Sequence, residues 1–178
     1  MNDKEAMLAA LDLAREAALA GDVPVGAVVL DADGRIIGRG YNTREAGGDP
    51  LAHAEIIAMR EAAAMRRQRA VAIGDTTVPA GRTRADDAGA VSGSDRSWNL
   101  ADCTLAVTLE PCPMCAGACI QTHIGRIVFG AWDAKLGACG SIWDIPRDPH
   151  VGHTPEVYGG VLERDCQTIL TDFFTARR

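Results

Sequence analysis

The stretch that most restricts what this chain can fold into is Thr104–Ile120, TLAVTLEPCPMCAGACI. An apolar strand runs into Glu110–Pro111, and a helix carrying Cys112 and Cys115 opens behind it. Pro111 has a fixed φ and no N–H, which suits the first turn of a helix. Cys115, three residues after Cys112, returns to the same helix face. The two sulfurs therefore address one point at a helix N-terminus, where the positive end of the backbone dipole favours thiolate over thiol. A zinc ion suits such a pair.

A CxxC pair alone also serves redox dithiols and structural zinc sites, so the choice rests on the rest of the chain. After the turn-rich Gly47-Gly48-Asp49-Pro50, the segment Leu51–Arg67 (LAHAEIIAMREAAAMRR) has apolar residues at helical spacing, with His53 and Glu55 in its first turn. His53, Cys112 and Cys115 supply three protein ligands and leave a fourth tetrahedral position for water, which marks a catalytic zinc. Glu55, two residues beyond His53, is placed to handle that water's proton.

These residues, His53-Ala54-Glu55 with Pro111-Cys112-Pro113-Met114-Cys115, resemble the HxE…PCxxC signature of the zinc nucleoside and nucleobase deaminases. Further blocks are similar, in order, to the bacterial tRNA adenosine deaminases: VPVGAV at Val23–Val28, Gly40-Tyr41-Asn42, DPLAHAEIIA, LEPCPMCAGA, RIVFGAWDAKLGACGS and the terminal FFTARR. The resemblance implies one Zn2+ per chain and hydrolysis of adenosine to inosine at the wobble position of a tRNA anticodon stem-loop, by a homodimer. It also implies roles for single residues. Asn42 is expected to hydrogen-bond the target base, the main chain around Ala54 and Pro111 to line the pocket, and Asp133 and Lys135 to face the RNA. Two rivals are a free nucleobase or nucleoside deaminase acting on guanine or cytosine, and a non-catalytic zinc-stabilised binding module. The second has no use for Glu55.

With 178 residues and 47% hydrophobic content the chain has material for one core, so a single domain over 1–178 is expected. The start, MNDKEAMLAALDLAREAALAG, is charged and amphipathic, unlike a signal peptide or membrane span, and six cysteines without an export signal suit reduced thiols in the cytoplasm. The formal charge of −6 opposes a general affinity for nucleic acid, so binding must come from local cations. The candidates are Arg60, Arg66, Arg67, Arg69, Lys135, Arg147, Arg177 and Arg178.

The remaining pattern gives a helix over Lys4–Ala20 ended by Gly21, with Leu8, Leu11, Ala14, Ala18 and Leu19 near one face. A hairpin of Val25–Leu30 and Arg35–Asn42 follows, then the His53 helix, the strand Cys103–Thr108, the cysteine helix to about His123 and the strand Arg126–Ala131. A short strand near Val157–Val161 and a helix from Leu162 close the chain. This alternation predicts a three-layer α/β/α sandwich around a mixed, roughly five-stranded sheet. The segment 70–101, rich in Gly, Ala, Ser, Asp and Arg, lacks periodicity and is expected to be a tolerated, flexible insertion. Cys119, Cys103, Cys139 and Cys166 are expected to be buried as small apolar residues, and His123, His150 and His153 to lie in loops.

Overall fold

The computed structural model describes residues 1–72 and 97–177. In chain order its elements are α1 (Asp3–Leu19), β1 (Gly26–Leu30), β2 (Ile36–Tyr41), α2 (Arg44–Gly47), α3 (Ala54–Ala72), β3 (Thr104–Leu109), α4 (Pro113–Gln121), β4 (Arg126–Ala131), β5 (Glu156–Tyr158) and α5 (Glu163–Thr175). A 3-10 turn spans Ile145–Arg147. The strands form one mixed sheet in the order β2-β1-β3-β4-β5. β1 runs antiparallel to both neighbours, whereas β3, β4 and β5 are mutually parallel.

Alternate residues of each strand feed two separate cores, as the two-residue period of a strand requires. Ala27, Val29, Leu105, Val107, Ile127 and Phe129 meet α3 and α4 on one face. Val28, Leu30, Ala106 and Val128 meet α1 and α5 on the other. The expected α/β/α sandwich and five-stranded sheet are therefore present. Among the described residues no helix is long and apolar enough to cross a membrane.

Four local expectations are corrected. The buried face of α1 is Ala6, Met7, Ala10, Leu11, Ala14 and Ala17, while Leu8 and Leu19 remain 53% and 89% exposed. The cause is close approach: a Cβ on Gly26 would lie 2.1 Å from the Ala10 carbonyl oxygen, so a strand without a side chain there meets an alanine stripe. Next, α4 begins at Pro113, and Cys112 is its N-cap. A residue before proline is steered out of the helical region, and Cys112 sits at φ −71° and ψ 172°, so Pro113 rather than Pro111 opens the helix.

Third, α3 runs on to Ala72 instead of ending near Arg67, because the sequence offers no breaker until Gly74. Residues 70–72 of the expected insertion thus belong to α3, and at its other end Leu100 is buried, with its N–H donated to the Thr122 carbonyl at 2.8 Å. The rest of that stretch, 73–96, lies outside the described residues. Last, β5 is shorter and earlier than Val157–Val161. Gly159 presses on the Phe129 ring and Gly160 adopts φ 84°, which turns the chain out of the sheet.

Candidate active site

Because β1 is antiparallel to both neighbours, β2 and β3 point the same way, and the helices that follow them start at the same end of the sheet. This brings together two helix N-termini whose sequences are far apart. A Cβ on Gly40 of β2 would lie 2.3 Å from the Ala54 carbonyl oxygen, so its absence lets the first turn of α3 sit directly on the sheet. The His53 carbonyl accepts from Ile57 N–H at 3.1 Å and the Cys112 carbonyl from Ala116 N–H at 2.8 Å, which makes both residues caps of their helices.

His53 Nδ1 lies 3.5 Å from Cys115 Sγ and 3.8 Å from Cys112 Sγ. Zinc–sulfur and zinc–nitrogen bonds of roughly 2.3 and 2.0–2.1 Å at a tetrahedral angle separate the donors by about 3.6 Å. Both nitrogen–sulfur pairs already have that spacing, and the three donors all lie within 4.8 Å of one another. Two thiols converging on an imidazole nitrogen at these distances fit zinc. Cys119 is buried one turn further along α4 and stands outside this group.

Electrostatics agree with a site built for a cation. Cys112 is pulled down to about 4, first by the Cys115 thiol donating to it and also by His53. Cys115 is pushed far up, by that same hydrogen bond and by burial. The hydrogen bond to Cys112 raises His53, with the nearby Glu55 charge adding to the effect and Arg44 opposing it. Glu55 is only 4% exposed, and burial lifts its pKa above the ordinary carboxylate range. The carboxyl beside the ligands therefore holds a proton more readily than a solvated one does.

A cavity of about 150 Å³ opens onto these groups, lined by Asn42, His53, Glu55, Cys112, Asp133 and Leu136, with Asp22, Arg44, Glu45 and Glu110 around them. Asn42 ties its walls together: its Oδ1 accepts from Ala54 N–H at 2.9 Å, and its Nδ2 donates to the Val23 carbonyl at 3.1 Å. One amide hydrogen and one lone pair of Asn42 are left for a substrate. The Pro111 carbonyl accepts from Ala138 N–H at 2.9 Å, so it braces the loop after β4. Lys135 is exposed and does not line the cavity. Asp133 does line it, and its Oδ1 accepts from the N–H groups of Lys135 and Leu136 at 2.9 and 3.2 Å.

Three further neighbours shape the cavity, and sequence reasoning missed two of them, Asp22 and Arg44. Glu110 is buried and its carboxylate accepts from Asp133, Cys139 and Ser141 N–H and from Ser141 Oγ, fixing the loop that carries Asp133. Asp22 is buried and accepts from Glu45 and Ala46 N–H at 2.9 and 3.0 Å. Arg44 stands at the cavity rim. An acid directly after Gly21, ahead of an apolar strand, was the available signal for Asp22. The cysteines and histidines outside the site lie where expected. Cys103, Cys139 and Cys166 are buried, and His153 donates from Nε2 to the Ile124 carbonyl.

A two-cysteine, one-histidine zinc site beside a buried glutamate, at the strand ends of an α/β/α sandwich, defines the zinc-dependent deaminase class. The chain belongs to the family described as the cytidine and deoxycytidylate deaminase zinc-binding region, which it matches over residues 1–131. It is similar to the tRNA-specific adenosine deaminase of Haemophilus influenzae, 40% identical over 176 residues, covering 99% of this chain and 85% of that protein. A tRNA(Ile)-lysidine synthase of Deinococcus radiodurans is 44% identical over 169 residues, 95% of this chain, but the chain spans only 24% of that protein's length. A solved structure from a study of A-to-I editing by tRNA:A34 deaminases at the wobble position of transfer RNA superposes with a TM-score of 0.68. It is 34% identical and covers 93% of this chain and 99% of its own.

Proposed function

We propose that this chain catalyses zinc-dependent hydrolytic deamination of adenosine to inosine at the wobble position of a tRNA anticodon. The observation that carries the reading is the convergence of His53, Cys112 and Cys115 beside the buried Glu55 at one cavity. His53, Cys112 and Cys115 would hold the zinc, which when bound supplies the Lewis acidity that makes hydroxide available near neutral pH. Glu55 takes the proton of the attacking water and passes it to purine N1, which makes C6 more electrophilic. A second transfer to the exocyclic amine lets ammonia leave, and inosine remains. The raised affinity of Glu55 for protons suits this relay. Asn42 orients the base with its remaining amide hydrogen or lone pair, and Ala54 and Pro111 fix the main chain around it.

A recessed site demands that the target base leave its stack, which costs least in a single-stranded loop such as an anticodon. Asp133, at the cavity edge, faces the ribose-phosphate beside the flipped base, with Lys135 farther out. The protein acts as one domain over 1–178, as a homodimer, in the cytoplasm, where its six free cysteines stay reduced. Zinc-loaded protein is incubated with an anticodon stem-loop bearing wobble adenosine and, separately, with free adenosine, guanine and cytosine. Inosine in the stem-loop with little turnover of the free bases is the expected result. Comparable turnover of guanine or cytosine overturns it in favour of a free-base deaminase.

A further inference from the structure

We propose that Arg44 grips the backbone phosphate next to the target nucleotide, and that the buried carboxylate of Asp22 positions it for that contact. The proposal deepens the RNA reading above and rests on it. An acidic chain needs a cation where the polyanion meets the site, and four of the arginines named from sequence are engaged elsewhere. Arg66 pairs with Asp102, Arg69 with Asp31 and Arg147 with Asp144. The Arg177 guanidinium lies 3.6 Å above the Phe173 ring and reaches the Gly21 carbonyl. Arg44 differs from these four. It is exposed, and among the described residues it makes no hydrogen bond or ion pair and is the only Lys or Arg lining the cavity.

The local charge is arranged so that this guanidinium stays available. Asp22, Glu110 and Asp133 line the same cavity, but each spends carboxylate oxygens on main-chain N–H groups. The carboxylate of the adjacent Glu45 is exposed and turns no hydrogen bond toward Arg44 among the described residues. A planar guanidinium matches two phosphate oxygens, so it favours a phosphodiester over a neutral base or nucleoside. Its placement depends on α2, a helix of four residues that is too short to hold itself together. Asp22 supplies what is missing. It is 2% exposed, donates its own N–H to the Ala17 carbonyl at 2.9 Å, and receives Glu45 and Ala46 N–H on its two carboxylate oxygens. The start of α2, and Arg44 with it, is thereby fastened to the end of α1.

The experiment measures kcat and KM of zinc-loaded wild type, Arg44→Gln, Arg44→Lys, Asp22→Asn and the double variant on the stem-loop across salt concentrations. For Arg44→Gln we expect KM to rise about tenfold at low salt with kcat nearly unchanged. The slope of log(kcat/KM) against log[salt] should become shallower by about one, while Arg44→Lys keeps the wild-type slope. Asp22→Asn should move both quantities in the same direction and add little in the Arg44→Gln background, because the two residues act as one unit. An unchanged salt slope, or loss of zinc from Arg44→Gln, overturns the phosphate contact. An Asp22→Asn effect that is equally large with and without Arg44 overturns the positioning role. Wild type that fails on the stem-loop at every salt concentration refutes the RNA reading itself, an outcome distinct from either.

Discussion

Replacing Glu110 by Gln tests whether the cavity wall is held by a charged buried acceptor. The wild-type carboxylate takes four donors: Cys139 and Ser141 N–H, each at 3.0 Å, on Oε1, and Asp133 N–H at 3.1 Å with Ser141 Oγ at 2.6 Å on Oε2. In the better orientation, the glutamine oxygen keeps the first pair and its NH2 replaces Oε2. Ser141 Oγ can then accept, but the Asp133 N–H faces another donor and is orphaned. One unsatisfied N–H in this half-buried position costs about 1–3 kcal/mol, and two bonds to a neutral rather than charged acceptor lose about 1 kcal/mol each. The sum is about 4 kcal/mol, a large share of the roughly 5–15 kcal/mol that holds a domain together. For a chain of this size that corresponds to roughly 10 °C in Tm. The assay is thermal and urea unfolding at one fixed excess of zinc, since zinc binding itself adds stability. Glu110 touches no ligand, so zinc content should stay at one per chain while KM rises as Asp133 and Leu136 lose their fixed positions. A stability change below about 0.5 kcal/mol would show that the loop does not depend on this acceptor and refute the reasoning.

Three further outcomes follow from the site. Glu55→Ala should keep its zinc and lose about 10²–10⁴-fold in kcat, whereas Cys119→Ala should leave both metal content and activity near wild type; metal analysis beside single-turnover kinetics checks both. In zinc-stripped protein, Cys112 ionises near 4, so its alkylation rate should already be on a plateau between about pH 5 and 8 instead of climbing toward an ordinary thiol value; Cys115, pushed up, should stay unreacted in the same mass-spectrometric time course. Asp133→Asn keeps the Oδ1 that caps Lys135 and Leu136 N–H but removes a charge beside the backbone, so the ratio of activity on a matched single-stranded DNA loop to activity on RNA should rise. An unchanged ratio at one salt concentration would assign Asp133 to loop capping alone.

The sequence by itself singled out the three candidate ligands, the glutamate beside them and the order of the main elements, because each is a local pattern. CxxC after a strand, HxE at a helix start and the short apolar runs of the strands depend on neighbours a few positions away. It placed the helix start at Pro111 instead of Pro113, since two prolines flank Cys112 and only the backbone angles of Cys112 decide between them. It also put Leu8 and Leu19 of α1 on the buried face, because hydrophobicity does not reveal how closely Gly26 lets the helix approach. What tertiary structure alone decided is the meeting itself. His53 and Cys112 become neighbours because β1 runs antiparallel between β2 and β3, which sets both helix starts at one sheet end. The roles of Asp22, Glu110 and Arg44 rest on the same cause. A carboxylate is an anchor or a solvated charge according to which distant N–H groups reach it, and an arginine is available or engaged according to which acids the fold brings near, and neither is written in its own stretch of chain.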